Sequence, residues 1–295
     1  MPNWDLDPAL FLTPQFQAQA PAEEIACVIC STPSGEGYLR TICIVDVNPT
    51  SRTYSEVIGE IALHQPGEPP CGRSRAVAAD AGLTIMPRVL LAHTPEHPYG
   101  FSSSGFSLHD LSTAISIWYR DRDLAGSSPW IVRKIIEIPE ETERADQLPP
   151  LLRPSAAIPP LITDLALSLD DRFLYATCWG TGYFTQFDVS DPHAPHEIAS
   201  VCIGGIATRA AHPSRAGALG GGPSAVTLSR DGRRAYLTNA LSPVWDTQLY
   251  PDGFQGWMVK VDIDLCGGLA FDPNFFVDFG LQRPHQVRLQ GQGLE

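Results

Sequence analysis

The stretch Leu167–Asp191 reads LSLDDRFLYATCWGTGYFTQFDVSD, and 228 − 167 = 61 positions later the chain repeats its opening as LSRDGRRAYLTN, Leu228–Asn239. In the first copy Ser168, Asp170, Asp171 and Arg172 form a polar cluster suited to a tight turn, since short polar side chains hydrogen-bond their own backbone there. A strand over Phe173–Thr177 follows, Trp179-Gly180-Thr181-Gly182 reverses the chain, and Tyr183–Val189 alternates again before Asp191-Pro192 ends the ladder. The second copy has Asp231-Gly232 as its turn, Ala235–Thr238 as its strand and Trp257–Ile263 as the partner. Repeated units of this kind predict an all-β chain built as β-propeller blades. The offset of 61 exceeds the usual blade period of roughly 40–50 residues, and an inserted loop accounts for the excess. Tyr175 to Asp188 is 13 positions and Tyr236 to Asp262 is 26, the difference being SPVWDTQLYPDGFQ.

The rest of the chain reads the same way. Residues 1–24 form an irregular lead-in, and Cys27–Cys30, Thr41–Val47 and Glu56–Ile61 then alternate or run apolar between the turn-rich STPSGEGY and NPTSRT. Over residues 63–88 no period survives, which marks an aperiodic junction. Strand character returns at Val89–Ala92, Gly100–Ser103, Ser112–Tyr119 and Trp130–Ile138. Residues 149–160 are proline-rich and expected as an extended linker between blades. At 295 residues, with 25 Gly and 27 Pro for many turns, one propeller-like domain over residues 1–295 is expected. Lys+Arg of 20 against Asp+Glu of 33 gives a net charge of −13, which argues against nucleic acid or an anionic membrane as partner. No apolar run approaches a membrane span of ~18 residues and the first residues lack a secretory pattern, so a cytoplasmic location is expected. Seven scattered cysteines read as reduced thiols.

Few residues suggest chemistry by pattern alone. Cys27 and Cys30 form a C-x-x-C, but three positions along a strand point to opposite faces, so both read as core thiols. His93 and His97 have helical ligand spacing, yet Pro95 lies between them and Pro98 follows, which favours a solvated turn. His109, His193, His196 and His212 are also placed in polar turns. Asp170-Asp171 reads as a turn former rather than an acid–base pair, and Gly220-Gly221-Gly222-Pro223 lacks the lysine and helix of a phosphate loop.

The run PPLITDLALSLDDRFLYATCWGTGYFTQFDVSDPHAPHEIASVCIGGI resembles the selenium-binding protein family, whose enzymatic members are methanethiol oxidases. GGGPSAVTLSRDGRRAYLTN, WDTQLYPDGFQGWMVKVDID, FDPNFFVDFG and RPHQVRLQG continue the resemblance in order, as do YGFSSSGFSLHDLSTAISIWYRDRD and IVDVNPTSRTYSEVIGEI upstream, covering roughly residues 38–62 and 88–291. The resemblance implies a seven-bladed propeller and a copper-dependent oxidation of methanethiol by O2 and water to formaldehyde, hydrogen sulfide and hydrogen peroxide. It also implies binding of selenium. Family segments of the type Leu-His-His-x-Gly-Trp-Asn, Cys-Ser-Ser-Cys and Arg-Pro-His-Thr-Leu-His are missing at the junction, and so is a Gly-Asp-Cys-Ser-Ser-Asp tail. The chain is thus expected to be a shortened member with an incomplete propeller, whether by truncation or by an error in how the gene was read. Of the family's metal histidines His285 carries over, and His64 lies near the place of another; Cys71, after Pro69-Pro70, is the expected selenium or thiol adduct site. With so few ligands, a catalytically inactive propeller that binds selenium or a partner is the alternative to the oxidase. Lost blades would also leave unpaired edges, so an oligomer is expected.

Overall fold

The computed structural model describes residues 22–34, 37–67, 88–93, 99–104, 106–107, 109–120, 130–213 and 217–290. Four antiparallel four-stranded sheets carry nearly all of it. Sheet 1 joins the two ends of the described chain: β18 (Arg283–Leu289), β1 (Ile25–Ser34), β2 (Gly37–Asp46) and β3 (Val57–Gly67). Sheet 2 is a meander of β4 (Val89–Leu91), β5 (Tyr99–Ser103), β6 (Thr113–Arg120) and β7 (Trp130–Ile138). A short ribbon of β8 (Glu141–Thr142) and β9 (Ala157–Ile158) leads to sheet 3: β10 (Ile162–Leu167), β11 (Phe173–Cys178), β12 (Tyr183–Asp188) and β13 (His196–Cys202). Sheet 4 holds β14 (Ala225–Leu228), β15 (Arg234–Thr238), β16 (Gly256–Ile263) and β17 (Leu269–Gly280). This is the all-β, propeller-like architecture that the repeat predicts.

The repeated phrase builds the same turn twice. Ser168 Oγ donates to Asp170 Oδ1 at 2.6 Å and accepts from the Phe173 N–H at 2.8 Å. Ser229 Oγ does the same with Asp231 Oδ1 at 2.7 Å and the Arg234 N–H at 3.0 Å. The residue after each aspartate takes a left-handed backbone, Asp171 at φ 56° and Gly232 at φ 70°. Glycine adopts that conformation freely, whereas the non-glycine residue is held there by its surroundings.

Sheets stack face on face. The first strands are neighbours in turn, β4 with β10, β10 with β14 and β14 with β18. Their side chains stitch one sheet to the next. Thr163 Oγ1 donates to the Ser224 carbonyl at 2.7 Å, Asp164 Oδ2 accepts from the Val226 N–H at 3.0 Å, and Thr227 Oγ1 donates to the Val287 carbonyl at 3.0 Å. Behind them lie three apolar cores, between sheets 2 and 3 (Phe101, Ile115, Leu165, Leu174), 3 and 4 (Tyr175, Phe184, Leu237, Trp257), and 4 and 1 (Val28, Cys43, Phe275, Val287). A buried latch ties the approach to β1 to sheet 4: Glu23 takes Arg234 through both carboxylate oxygens at 2.6 and 2.9 Å and the Tyr236 hydroxyl at 2.7 Å.

The structure departs from the sequence expectations in three places. The inserted loop contains a helix, α1 (Pro243–Leu249), entered through Pro243. The proline-rich stretch is not extended: it turns through residues 150–156 and then pairs Ala157 and Ile158 with β8. Its Leu152 and Ile158, with Leu161 just after it, pack with Leu148, Trp179 and Tyr250 in a fourth core, which is why apolar residues sit among its prolines. The strand that precedes the junction runs on to Gly67, with Leu63 opposite Arg40 and Gly67 opposite Tyr38 across an irregularity in register, so residues 63–67 belong to β3; residues 68–87 lie outside the described residues. Among the described residues no helix is long and apolar enough to cross a membrane.

Candidate functional site: a thiol pair and a histidine on sheet 1

Alternation along β1 sends Val28 and Cys30 to the core side of sheet 1, and along β2 it sends Cys43 and Val45 to the same side. The register pairs Cys30 with Thr41 and Val28 with Cys43, so the two cysteines are diagonal neighbours across adjacent antiparallel strands. Both are fully buried, and their thiols influence each other electrostatically. Cys43 Sγ also donates to Gln282 Oε1 at 3.0 Å, and Gln282 in turn reaches Glu60 on β3 at 3.3 Å. The side-chain interaction with Cys43, together with burial, pushes the Cys30 thiol far above the usual range, while the same interaction holds the Cys43 thiol below it. One thiolate beside one thiol is therefore the favoured ionised form of the pair. Cys30 thus meets Cys43 and not Cys27, which faces the other side of the sheet opposite Ile44 and Arg288.

His285 lies next door, on β18. Ile29 pairs with Gln286 and Cys30 with Pro284, which leaves His285 as the extra residue of a bulge. A bulge re-aims a side chain, and here Nε2 of His285 comes to 3.3 Å from Ser31 Oγ. The ring is 5% exposed, and its backbone carbonyl accepts from Thr238 Oγ1 at 2.7 Å, fixing β18 against sheet 4. Two residues before it, Arg283 pairs with the fully buried carboxylate of Asp246 on α1 and lies over the Phe254 ring at 5.2 Å. Burial outweighs the Arg283 guanidinium and pushes the Asp246 carboxyl up to about 6.

Among the described residues, the histidines singled out from the sequence lie on separate strands and turns. His64 falls on β3, three strands away from His285 in sheet 1, a separation of roughly 14 Å at the usual strand spacing. Cys71 lies outside the described residues, as does His97. His93 is no free turn residue, since its Nδ1 meets Asp171 Oδ1 at 2.9 Å and so joins the end of β4 to the first repeated turn. His212 is buried rather than placed in a polar turn, packed against Phe271 and Phe276 at 5.5 and 5.2 Å between ring centres. Among the described residues no three of His, Cys, Asp and Glu come together in a way that could hold a metal ion.

A propeller-like stack of antiparallel sheets, stitched along its first strands and carrying a thiol pair beside a buried histidine, defines the class. Residues 77–293 match the model of the 56kDa selenium binding protein family (SBP56), and the chain belongs to that family. It is 33% identical to a methanethiol oxidase of Homo sapiens over 223 residues, which are 68% of this chain and 44% of that protein. The same identity and coverage relate it to selenium-binding protein 2 of Mus musculus. The match therefore spans less than half the length of these curated relatives. In three dimensions the chain superposes on the X-ray structure of a hypothetical selenium-binding protein from Sulfolobus tokodaii with a TM-score of 0.83 and 27% identity, covering 97% of each chain.

Proposed function

We propose that this chain binds selenium, and small thiols by exchange, through Cys30 and Cys43. The observation that carries the reading is the diagonal placement of two buried thiols on β1 and β2. Diagonal neighbours have α-carbons roughly 7–8 Å apart, beyond the ~6.8 Å that a direct disulfide accepts, so the pair suits one bridging atom better than an S–S bond. Selenite supplies that atom. Selenous acid reacts with four thiols, the protein pair and two molecules of a small thiol, to give a Cys30–S–Se–S–Cys43 bridge, one small-molecule disulfide and three waters. Two electrons from the small thiols and two from the cysteine pair reduce the selenium, and the four thiol protons leave in the water. Gln282 covers the sulfur of Cys43 from the turn between β17 and β18, and its displacement opens the path.

The test is intact mass after incubation with selenite and a small thiol. One selenium per chain is expected in the wild type and in Cys27→Ser and Cys71→Ser, and none is expected to stay in Cys30→Ser or Cys43→Ser. Stoichiometric selenium in Cys43→Ser, or its loss in Cys71→Ser, overturns the assignment.

Oxidation of methanethiol, the activity for which the relatives are named, is the second reading, favoured by His285 standing re-aimed on a bulge of the first strand of sheet 1. Copper would need several imidazole or thiolate donors. This site offers one imidazole, engaged with Ser31, and a thiol pair that faces the core, so its donor set does not fit copper. In that reading His285 is the group to test, by methanethiol-dependent oxygen consumption of the copper-loaded protein with His285→Ala beside it. Turnover that disappears in the variant supports the second reading over the first.

A further inference from the structure

Large apolar side chains are exposed at the two ends of the stack of sheets. Ile58 and Ile61 are 48% and 51% exposed on sheet 1, and Val89, Leu91 and Val132 are 49%, 70% and 59% exposed on sheet 2. Registers place Ile61, Leu91 and Val132 on two outward faces, with Val89 heading the polar row Ser102, Ser116 and Lys134 beside that of Leu91. On sheet 1, Ile61 stands opposite Ile42, Ile42 opposite Ile29, and Ile44 opposite Cys27, all on the side away from the core shared with sheet 4. On sheet 2, a row runs Leu91, Gly100, Trp118, Val132 across all four strands, on the side away from the core shared with sheet 3. Each inner face of the stack finds its partner in one of three cores, and among the described residues none of those cores contains side chains of both sheet 1 and sheet 2.

An apolar sheet face of this extent is a docking surface for another sheet, at a face-to-face spacing of about 10 Å. The chain between the two faces cannot supply that sheet. From the end of β3 to Arg88 it has only residues 68–87, or 87 − 67 = 20 residues, whereas a four-stranded blade takes roughly 40–50. A second copy can. Under a twofold axis, sheet 1 of each copy meets sheet 2 of the other, so both faces are covered twice over and no end is left open. Four sheets from each copy make a ring of eight, within the roughly 4–8 blades that propellers use.

We propose that two copies of this chain close into one ring through reciprocal packing of the sheet 1 face (Ile42, Ile44, Ile61) on the sheet 2 face (Leu91, Trp118, Val132). The inference is independent of selenium binding. Light scattering on the purified full chain is expected to give 2 × 32.0 = 64 kDa. A stable 32.0 kDa monomer overturns the proposal, because the faces are then covered within one chain or left bare. An open series of larger species overturns it too, since the contacts would not close. Co-expression of Ile61→Cys and Leu91→Cys chains carrying different tags gives the second reading. An oxidised heterodimer well above the wild-type background is expected from the pair, and none from either variant alone. Cross-linking of Ile61→Cys with itself overturns the reciprocal arrangement. Both positions are at least half exposed, so these substitutions leave the fold intact and keep the cross-linking result interpretable.

Discussion

Glu23 is the residue whose removal should loosen the seam between sheets 1 and 4 most sharply. Its carboxylate is 4% exposed, gripped by Arg234 at 2.6 and 2.9 Å and by the Tyr236 hydroxyl at 2.7 Å. In Glu23→Ala a buried phenol loses its acceptor, and the guanidinium, itself only 18% exposed, keeps Asp231 alone, at 3.2 Å. Breaking one side of a buried pair costs about 3–5 kcal/mol, because the remaining charge stays desolvated, here with the longer Asp231 contact as its one compensation. At a urea slope near 3 kcal/mol per M, that cost lowers the unfolding midpoint by about 1–1.7 M. Truncating Lys134, whose pair with Glu137 is about half exposed on both sides, should cost under about 1 kcal/mol and serves as the control. The pH dependence follows from the direction of the Glu23 shift. Burial raises its pKa, but the hydrogen bonds from Arg234 and Tyr236 outweigh that and hold it below the ordinary 4.5. A depressed carboxylate contributes its stability above the unfolded value and loses it as pH falls through the folded one. The gap between wild type and Glu23→Ala should therefore be full at pH 7 and shrink below pH 4.5. A loss no larger than that of the Lys134 control, or one that persists unchanged at pH 3, refutes the latch.

Gly222→Ala should cost about 3 kcal/mol or more in the same urea titration, since the added β-carbon would stand 1.9 Å from the Trp179 carbonyl oxygen. Asn239→Ala should cost about 3 kcal/mol, because its buried amide accepts from the Trp257 N–H and donates to the Gly220 and Gln255 carbonyls, leaving three groups without it. Burial pushes the Cys178 thiol up to about 12. Timed alkylation at pH 8 should therefore label the exposed Cys266 early and Cys178 only after denaturant is added; early modification of Cys178 in the folded protein contradicts this.

Local pattern made much of the fold legible. The strands expected at Val89–Ala92, Gly100–Ser103, Ser112–Tyr119 and Trp130–Ile138 appear as β4 to β7, because alternation and turn residues are written within each segment. The turns at Asp170 and Asp231 were readable for the same reason, since serine and aspartate close them through their own hydrogen bonds. What long-range pairing decides was not readable. Nothing near Arg283–Leu289 announces that β18 lies against β1, and the bulge that turns His285 toward Ser31 exists only in that pairing. Cys43 carries no local signal, because its meeting with Cys30 depends on the register between β1 and β2, which spacing alone does not fix. The six-residue run VWDTQL in the inserted loop was too short for a helical period, and α1 forms there because Asp246 and Leu249 are buried under the loop core.

The central claim is that Cys30 and Cys43 hold selenium between them. Selenium X-ray absorption on the selenite-loaded, thiol-washed protein tests it most directly. The account predicts two sulfur neighbours and no oxygen around each selenium, with the signal gone in Cys43→Ser. A single sulfur neighbour, or the same spectrum in that variant, would place the selenium elsewhere and contradict the account.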